Sequence, residues 1–315
     1  MNEVIKKMYE KKGQPYPESI AQKFVINSEH SDTIIIVEGV SDEDFYKNTN
    51  VEILKNACYV YASQNANIVG KKAVIDAYFK IKEYSRNKIF NNSIIFIVDK
   101  DFFGINWKAP AYSKIAKEQR ATNEDLNNFT ILNCHSHECY FIFKDNLKEI
   151  FKLLNIEDKL DDFNKILEDN LDDLSEYFSY KSILETENPN YSRDCENIEG
   201  INFNFEFKDD KLIFNKDGMQ KGINKMKNEI VHIRDREKKE ILEQQHLEMK
   251  QKFKIHPELL RGHTLYEFLE CYLNRYGKTL KNHEEYNKEI VKRMEIPLDI
   301  KILKFGLGKY KLEKK

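Results

Sequence analysis

The sequence predicts an α/β fold: a parallel sheet with crossover helices, then a mostly α-helical C-terminal region with a small β-hairpin. Two short apolar runs, 33–37 and 93–98, are rich in β-branched residues and each stops at a carboxylate. Runs of this kind are typical of strands buried on both faces. Strand-like and helix-like patterns alternate over 31–145 in steps of about 30 residues, as parallel β-α-β units require.

The elements of this first part follow in order along the chain. Apolar runs between polar residues predict strands at 33–37, 57–62, 94–98 and 129–132. Gly39 permits a tight turn after the first strand, and Ser41 or Asp42 is expected to cap a helix that ends near Lys47. Apolar residues three and four positions apart predict a second helix over 68–84.

The pattern changes after Lys144. An apolar stripe on an otherwise acidic segment predicts an amphipathic helix with a solvated acidic face; its apolar members are Leu160, Phe163, Leu167, Leu171 and Leu174. Strict alternation within 201–214 predicts a β-hairpin. We expect one or two helices over 219–253 and a further helix that opens at Gly262. The lysine-rich tail, 301–315, is interpreted as a solvated end or a nucleic-acid contact.

Composition and charge exclude some classes of protein. Charged residues make up 33% and aromatic residues 12%, which is a globular composition. Lys and Arg number 51 against 53 Asp and Glu, so there is no overall basic excess and any nucleic-acid-binding surface is local. This balance counts against a stand-alone, high-affinity nucleic-acid binder but not against a nuclease that a partner recruits. The five cysteines are scattered, and we find no signal peptide and no apolar run that could span a bilayer. These features predict a cytoplasmic protein without a membrane segment.

Carboxylates follow the first and third predicted strands. Glu38 comes directly after 33–37, while Asp99 and Asp101 come directly after 94–98. Ligands of open α/β sheets bind beyond the carboxyl ends of the strands, so these three groups should converge there. Clustered carboxylates repel one another unless a cation neutralises them, and oxygen ligands suit magnesium, manganese or calcium.

Five further residues are secondary candidates. Asp42 fits a helix cap and a metal ligand equally well, and Lys100 fits either a phosphate contact or an outward-pointing side chain. Glu138 is placed at the end of the fourth strand, where it would serve a second metal. Arg261 and His263 would contact a phosphate backbone or simply begin a helix.

A cluster of possible zinc ligands lies between the fourth strand and the helical region. Its members are Cys134, His135, His137 and Cys139. A zinc motif needs pairs of ligands separated by an intervening segment, and this spacing lacks one. Packed side chains are the favoured interpretation.

Two strand ends together resemble the Toprim signature: the first strand ends in Glu38-Gly39 and the third ends in Asp99-Lys100-Asp101. This signature occurs in topoisomerases, primases, the 5S ribosomal RNA maturase and overcoming-lysogenisation-defect nucleases. The fuller string from Val37 to Tyr46 is similar to the AriB-like branch, whose members act in bacterial anti-phage defence beside an ABC-type ATPase. The resemblance covers 33–143. It implies a Rossmann-like Toprim catalytic domain over 31–145. Apolar positions within 1–30 predict one or two short helices as a lead-in, and the helical pattern and near-neutral charge predict a mostly helical, partner-docking region over 146–315.

The resemblance also implies an activity. It points to an endonuclease that uses one or two magnesium ions, with manganese as the alternative, held by Glu38, Asp99, Asp101 and Glu138. Such an enzyme would be the toxic effector of abortive infection, controlled by an ABC-type ATPase partner, because this chain has no Gly-x-x-x-x-Gly-Lys-Ser/Thr loop. DNA, RNA and transfer RNA all stay open as substrates, and a homodimer fits the pattern.

Two other classes fit parts of the sequence. A non-catalytic Toprim module would bind a partner or a nucleotide without turnover. A nucleotidyl- or glycosyl-transferase would use Asp99 and Asp101 to hold a metal and a nucleotide diphosphate, and it would not need Glu38.

Overall fold

The computed structural model describes residues 23–24, 27–62, 70–85, 90–99, 125, 127–187, 203–209, 211–282, 285–305 and 311–314. The chain divides into two compact units. The first comprises 1–99, 112–133 and 291–315, and the second comprises 100–111 and 134–290. Each unit is described by itself below.

The elements run in the following order. The first stretch contains β1 (Thr33–Val37), α1 (Val40–Lys47), α2 (Glu52–Lys55), β2 (Cys58–Tyr61), α3 (Lys71–Tyr84), β3 (Ser93–Val98) and β4 (Phe129–Ile131). The middle stretch contains a 3-10 helix (His137–Ile142), α4 (Lys144–Leu153), α5 (Leu160–Glu187), β5 (Glu206–Lys208), β6 (Lys211–Ile213), α6 (Lys216–Val231), α7 (Arg236–Ile255) and α8 (Gly262–Asn274). The last stretch contains β7 (Lys281–Asn282), β8 (Glu285–Tyr286), α9 (Lys288–Arg293), β9 (Lys301–Lys304) and β10 (Lys311–Lys314).

The first unit is built on a mostly parallel, mixed sheet, so the predicted α/β class is confirmed. The described strands β2, β1, β3 and β4 lie side by side in that order and pair in parallel. Residues 34–37 of β1 and 94–98 of β3 are buried, as expected for strands covered on both faces. The chain leaves β1 for β2 on one side and returns to β3 on the other, which makes the gap between β1 and β3 the topological switch point.

The tail of the chain belongs to this sheet. β9 pairs antiparallel with β3, with Leu303 opposite Ile94, and β10 pairs antiparallel with β9. Ile302 and Leu303 are buried. The interpretation of 301–315 as a solvated end is therefore wrong for β9, because Ile302 and Leu303 are buried and β9 pairs with the amino-terminal part of β3, where β4 does not reach. The first unit consequently includes 291–315 and ends its central part at 133, whereas the predicted domain ran from 31 to 145.

Two local predictions in the first unit need correction. α1 is capped by Gly39 and not by Ser41 or Asp42, since Asp42 is the third helical residue and accepts the Gly39 N–H. The helix predicted over 68–84 begins at Lys71, because Gly70 has a φ of +63°, a conformation that does not continue a helix.

The second unit is mostly helical and confirms the predicted apolar stripe. Phe163, Leu167, Leu171 and Leu174 of α5 are buried, and α5 packs against α6 and α7. The segment 219–253 falls into the two helices α6 and α7, and β5 and β6 form the predicted hairpin.

The acidic face of α5 is only partly solvated. Asp173 pairs with Lys216 of α6 at 2.9 Å, and Asp172 pairs with Lys250 and Lys254 of α7. These carboxylates therefore hold neighbouring helices together instead of facing only water. In the described part of the chain, no helix combines the length and the apolar character needed to cross a bilayer.

Replacement of Leu303 by alanine should destabilise the first unit. Leu303 is fully buried in β9, and removal of a buried leucine side chain typically costs about 2–5 kcal/mol. Urea unfolding should show this loss, and hydrogen exchange should show faster exchange of the β3 amides. Leu247→Ala is the matched control, because Leu247 is 64% exposed on α7 and its loss should cost less than about 0.5 kcal/mol. Equal stability of the two variants would contradict the place of β9 in the sheet.

Candidate functional site

Two predicted site residues meet at the carboxyl edge of the first unit's sheet. Glu38 directly follows β1 and Asp99 directly follows β3. The two strands are parallel neighbours, with Ile36 opposite Phe96, so both chains leave the sheet at the same level. Because this is also the topological switch point, the two side chains lie where ligands of open α/β sheets bind.

Asp42 joins them from the first turns of α1. We call Glu38, Asp42 and Asp99 the carboxylate edge. The N–H of Asp99 points at Oε1 of Glu38 over 3.5 Å, which is a long and weak hydrogen bond. Oδ2 of Asp42 accepts the N–H of Gly39 at 2.8 Å, and Asp42 is 7% exposed. Asp42 is therefore not the N-cap that the sequence allowed, but its side chain accepts the N–H of the N-cap Gly39 from the third helical position and stands beside the site.

The carboxylate edge could hold a metal ion. One carboxylate oxygen of Asp42 and one of Asp99 lie within 4.8 Å of each other. Oxygen ligands on opposite sides of a magnesium ion are about 4.2 Å apart, and those of a calcium ion about 5 Å, so the spacing is of the right size for either. The carboxylate oxygens of this edge suit hard divalent cations. The geometry does not choose among these cations.

Gly70 was overlooked by the sequence analysis. It precedes α3 in a positive-φ conformation, and a Cβ built on it would lie 3.3 Å from Oε2 of Glu38. The start of α3 thus lies against the Glu38 carboxylate, where the positive end of a helix dipole favours an anion. Lys71, in the first turn of α3, is only 5% exposed. A glycine inside a predicted helix is unfavourable, and this was the signal that could have marked Gly70 as the start of α3.

The structure does not describe two residues of the Asp99-Lys100-Asp101 motif. Lys100 and Asp101 lie outside the described residues, so the role expected of Asp101 as a third ligand stays a prediction. Within the described part, Asp42 supplies the third carboxylate beside Glu38 and Asp99.

Glu138, in the second unit, does not lie at the end of a strand. β4 ends at Ile131, and Glu138 belongs to the 3-10 helix that follows. Its Oε1 lies 3.1 Å from Nδ1 of His263 and 3.6 Å from Nε2 of His137. Burial alone would raise the pKa of Glu138, but the imidazoles of His137 and His263 bring it down to about 2. Glu138 is therefore a buried carboxylate whose ionised form is favoured by its contacts with two imidazoles.

A close approach between two helices sets the position of His263. Gly262 is the first residue of α8 and packs on the 3-10 helix. A Cβ on Gly262 would overlap Oγ of Ser136 and would lie 3.3 Å from the backbone nitrogen of Cys139. Only glycine fits this contact, which explains why the helix predicted at this point opens at Gly262. Arg261, which caps α8, is half-buried, whereas His263 is exposed.

The cysteines of the possible zinc cluster have a packing role. The thiol of Cys134 donates to the Ser136 carbonyl at 3.2 Å, and that of Cys139 donates to the Leu260 carbonyl at 3.5 Å. His137 contacts the hydroxyl of Tyr286 through Nε2 at 3.2 Å. These contacts agree with packed side chains, the interpretation favoured by the sequence.

Replacement of Gly70 by alanine should weaken metal binding. The added methyl group would displace Glu38, and the backbone conformation of Gly70 costs any other residue about 1–3 kcal/mol. Titration calorimetry with Mn²⁺ should show at least about tenfold weaker binding. Gly277→Ala is the control, because Gly277 also has a positive φ but a Cβ there meets nothing within 4 Å. Unchanged metal affinity in Gly70→Ala would show that Glu38 is not part of the metal site.

Replacement of Gly262 by alanine should destabilise the second unit. Forcing a methyl group into a closely packed contact costs about 1–3 kcal/mol, which urea unfolding would measure. Ser136→Gly removes the overlapping Oγ and should recover part of this cost in the double variant, although the contact with Cys139 stays. Additive effects of the two changes would contradict the close approach.

Comparison with known proteins gives no match. No family model matches the chain, and neither a curated protein nor a solved structure matches it. The carboxylate edge and the contacts of Glu138 are therefore the observations from which function is inferred.

Proposed function

We propose that the chain is a divalent-metal-dependent nuclease of the Toprim type that hydrolyses phosphodiester bonds in nucleic acid. The observation that carries this proposal is the pairing of Glu38 with Asp99 at the ends of two adjacent parallel strands. Asp42 stands within reach of the same point. Three acidic side chains are concentrated where an α/β sheet binds its ligand, and this arrangement is costly without a cation.

The residues of the carboxylate edge can take different roles in such a reaction. Asp42 and Asp99 would hold the cation, with Asp101 as the expected further ligand. When bound, a magnesium ion would supply positive charge to a scissile phosphate and lower the pKa of a water molecule. Glu38 is half-buried and held loosely by the Asp99 N–H, so it can accept a proton from an attacking water.

The N-terminal ends of α1 and α3 add positive electrostatic potential at the carboxylate edge. Gly39 is the N-cap of α1 and Gly70 is the N-cap of α3, and both lie next to the carboxylates. The N–H groups and positive dipole ends at the two helix starts offset part of the carboxylate repulsion. They also favour the approach of a phosphate group to a site whose protein ligands are all negative.

We propose that a partner controls this activity. The net charge of −2 offers no general attraction to a polyanion, which suits an enzyme that another protein brings to its substrate. The resemblance to AriB-like effectors makes an ABC-type ATPase the proposed partner and anti-phage abortive infection the proposed setting. The sequence has no phosphate-binding loop of the ATPase kind, so ATP hydrolysis would belong to that partner.

Cleavage should require both members of the strand-end pair. Glu38→Gln and Asp99→Asn should each lower the rate by more than about 100-fold, since even groups behind a metal ligand are worth about 10–100-fold. The measurement is cleavage of labelled DNA, messenger RNA and transfer RNA by the purified chain with its ATPase partner, in Mg²⁺ and in EDTA. Toxicity in a bacterial host should follow the same order.

Asp145→Asn is the control for these variants, because Asp145 is an acid on α4 whose side chain is 75% exposed. Its activity should equal that of the wild type. Full activity of Glu38→Gln would favour a transferase that uses only the aspartates. Metal binding without turnover on any of the three substrates would favour a non-catalytic module and end the nuclease proposal.

A further inference from the structure

A groove lies in the second unit between the β5–β6 hairpin and α8. Its volume is about 500 Å³, and residues of both elements line it. The hairpin side contributes Phe205, Glu206 and Phe207, and the thiol of Cys271 on α8 donates to the Phe205 carbonyl at 3.1 Å. This hydrogen bond joins the two sides, so the groove belongs to the packed structure of the unit.

The α8 side of the groove carries two glutamates. Its lining residues are three or four positions apart and therefore lie on one face of the helix; they are Glu267, Glu270, Cys271 and Asn274. Glu267 is exposed, and it has no ion-pair partner in the part of the chain that the structure describes. Its carboxylate is thus available to a ligand.

Glu270 is held in place by its neighbours. Its Oε1 accepts the N–H of Leu280 at 2.8 Å and the hydroxyl of Tyr266 at 2.9 Å. Among the described residues, only the hydroxyl of Thr279 donates to its Oε2, at 3.2 Å. A carboxylate oxygen can accept two hydrogen bonds, so Oε2 of this fixed side chain has capacity for a further donor.

Arg275 shows how the groove treats a cation. Its guanidinium lies 4.3 Å from the centre of the Phe207 ring, and its Nη1 lies 3.7 Å from Oδ2 of Asp162. The Phe207 ring therefore already supports one guanidinium, whose charge Asp162 balances in part. Three glutamates line the groove against this one arginine, so negative charge is in excess there.

The third glutamate, Glu206, is only weakly engaged. Its Oε1 pairs with Nζ of Lys208 at 2.9 Å, but the two side chains are 52% and 63% exposed. An exposed pair of this kind contributes little to stability, so a cation from another molecule can replace Lys208.

We propose that this groove binds an arginine side chain of a partner protein. The half-buried rings of Phe205 and Phe207 offer apolar and π surface to a planar guanidinium, while Glu267 and Glu270 accept its N–H groups. Arginine is favoured over lysine because its planar fork stacks on aromatic rings and pairs with carboxylates. The excess of negative charge disfavours a phosphate or a nucleic acid as the occupant.

The inference goes beyond the proposed nuclease function and does not depend on it. Every residue of the groove belongs to the second unit, whereas the carboxylate edge belongs to the first. Binding to the groove can therefore be measured without metal and without nucleic acid, and the cleavage assay has no bearing on the result.

The test uses capped tripeptides and the ¹⁵N-labelled full chain. Three acetylated and amidated peptides have glycine at both ends and arginine, lysine or citrulline at the centre. Citrulline has nearly the shape of arginine but no charge. In an NMR titration, the arginine peptide should shift the amide signals of 205–207 and 266–275 and bind at least about fivefold more tightly than the citrulline peptide. The lysine peptide should bind with an affinity between the two.

A matched pair of variants tests the carboxylates. Glu267→Gln should weaken binding of the arginine peptide by at least about threefold, because it removes one negative charge from the groove. Glu237→Gln is the control, since Glu237 is also an exposed helical glutamate of the second unit but does not line the groove. Its affinity should equal that of the wild type, and both substitutions lie at exposed positions where the fold tolerates them.

Four outcomes would overturn the proposal. Equal affinity for the arginine and citrulline peptides would remove the charge from the argument, and unchanged affinity in Glu267→Gln would remove the groove. A wild type that does not bind the arginine peptide at about 20 mM would end the assignment of a guanidinium. Tighter binding of choline than of the arginine peptide would identify a small ammonium ligand as the occupant in place of a partner's side chain.

Discussion

The parallel pairing of β1 with β3 is the contact on which the carboxylate edge depends. Both strands are apolar and buried, so their position in the sheet follows from the hydrophobic effect. Their parallel register then places Glu38 and Asp99 close together, although the two negative charges repel each other. The sheet therefore brings like charges together at a cost in free energy. The starts of α1 and α3, capped by Gly39 and Gly70, offset part of this cost, and a cation would offset more.

Glycine makes the close contacts possible in both units. At Gly70 the backbone approaches a Glu38 oxygen, and at Gly262 one helix approaches another at Ser136 and Cys139. Neither contact leaves space for a side chain, so each functional group is positioned by the absence of a methyl group next to it. Small residues can thus control a site without having any chemistry of their own.

Much of the first unit could be predicted from sequence because its signals are local. The runs 33–37 and 93–98 carry their strand pattern in consecutive residues, and the carboxylates that follow them are visible in the same window. The place of β9 could not be predicted, because Lys301-Ile302-Leu303-Lys304 is a short, lysine-flanked segment whose partner, β3, lies far away in sequence. Glu138 was misplaced because it was assigned to the end of the strand predicted at 129–132, whereas β4 ends at Ile131 and tertiary packing makes 137–142 a 3-10 helix.

Glu38 and Glu138 show two solutions to the same electrostatic problem. A carboxylate removed from water needs positive charge, and a protein can supply it from its own side chains or from a bound ion. Glu138 has two imidazoles beside one oxygen, and these contacts lower its pKa within the second unit. Glu38 lies beside Asp99, and the oxygens of Asp42 and Asp99 are within 4.8 Å of each other, so this edge concentrates negative charge. The carboxylate edge is therefore the stronger candidate for the metal, because Glu138, for which the resemblance implied a second metal, already lies beside two imidazoles.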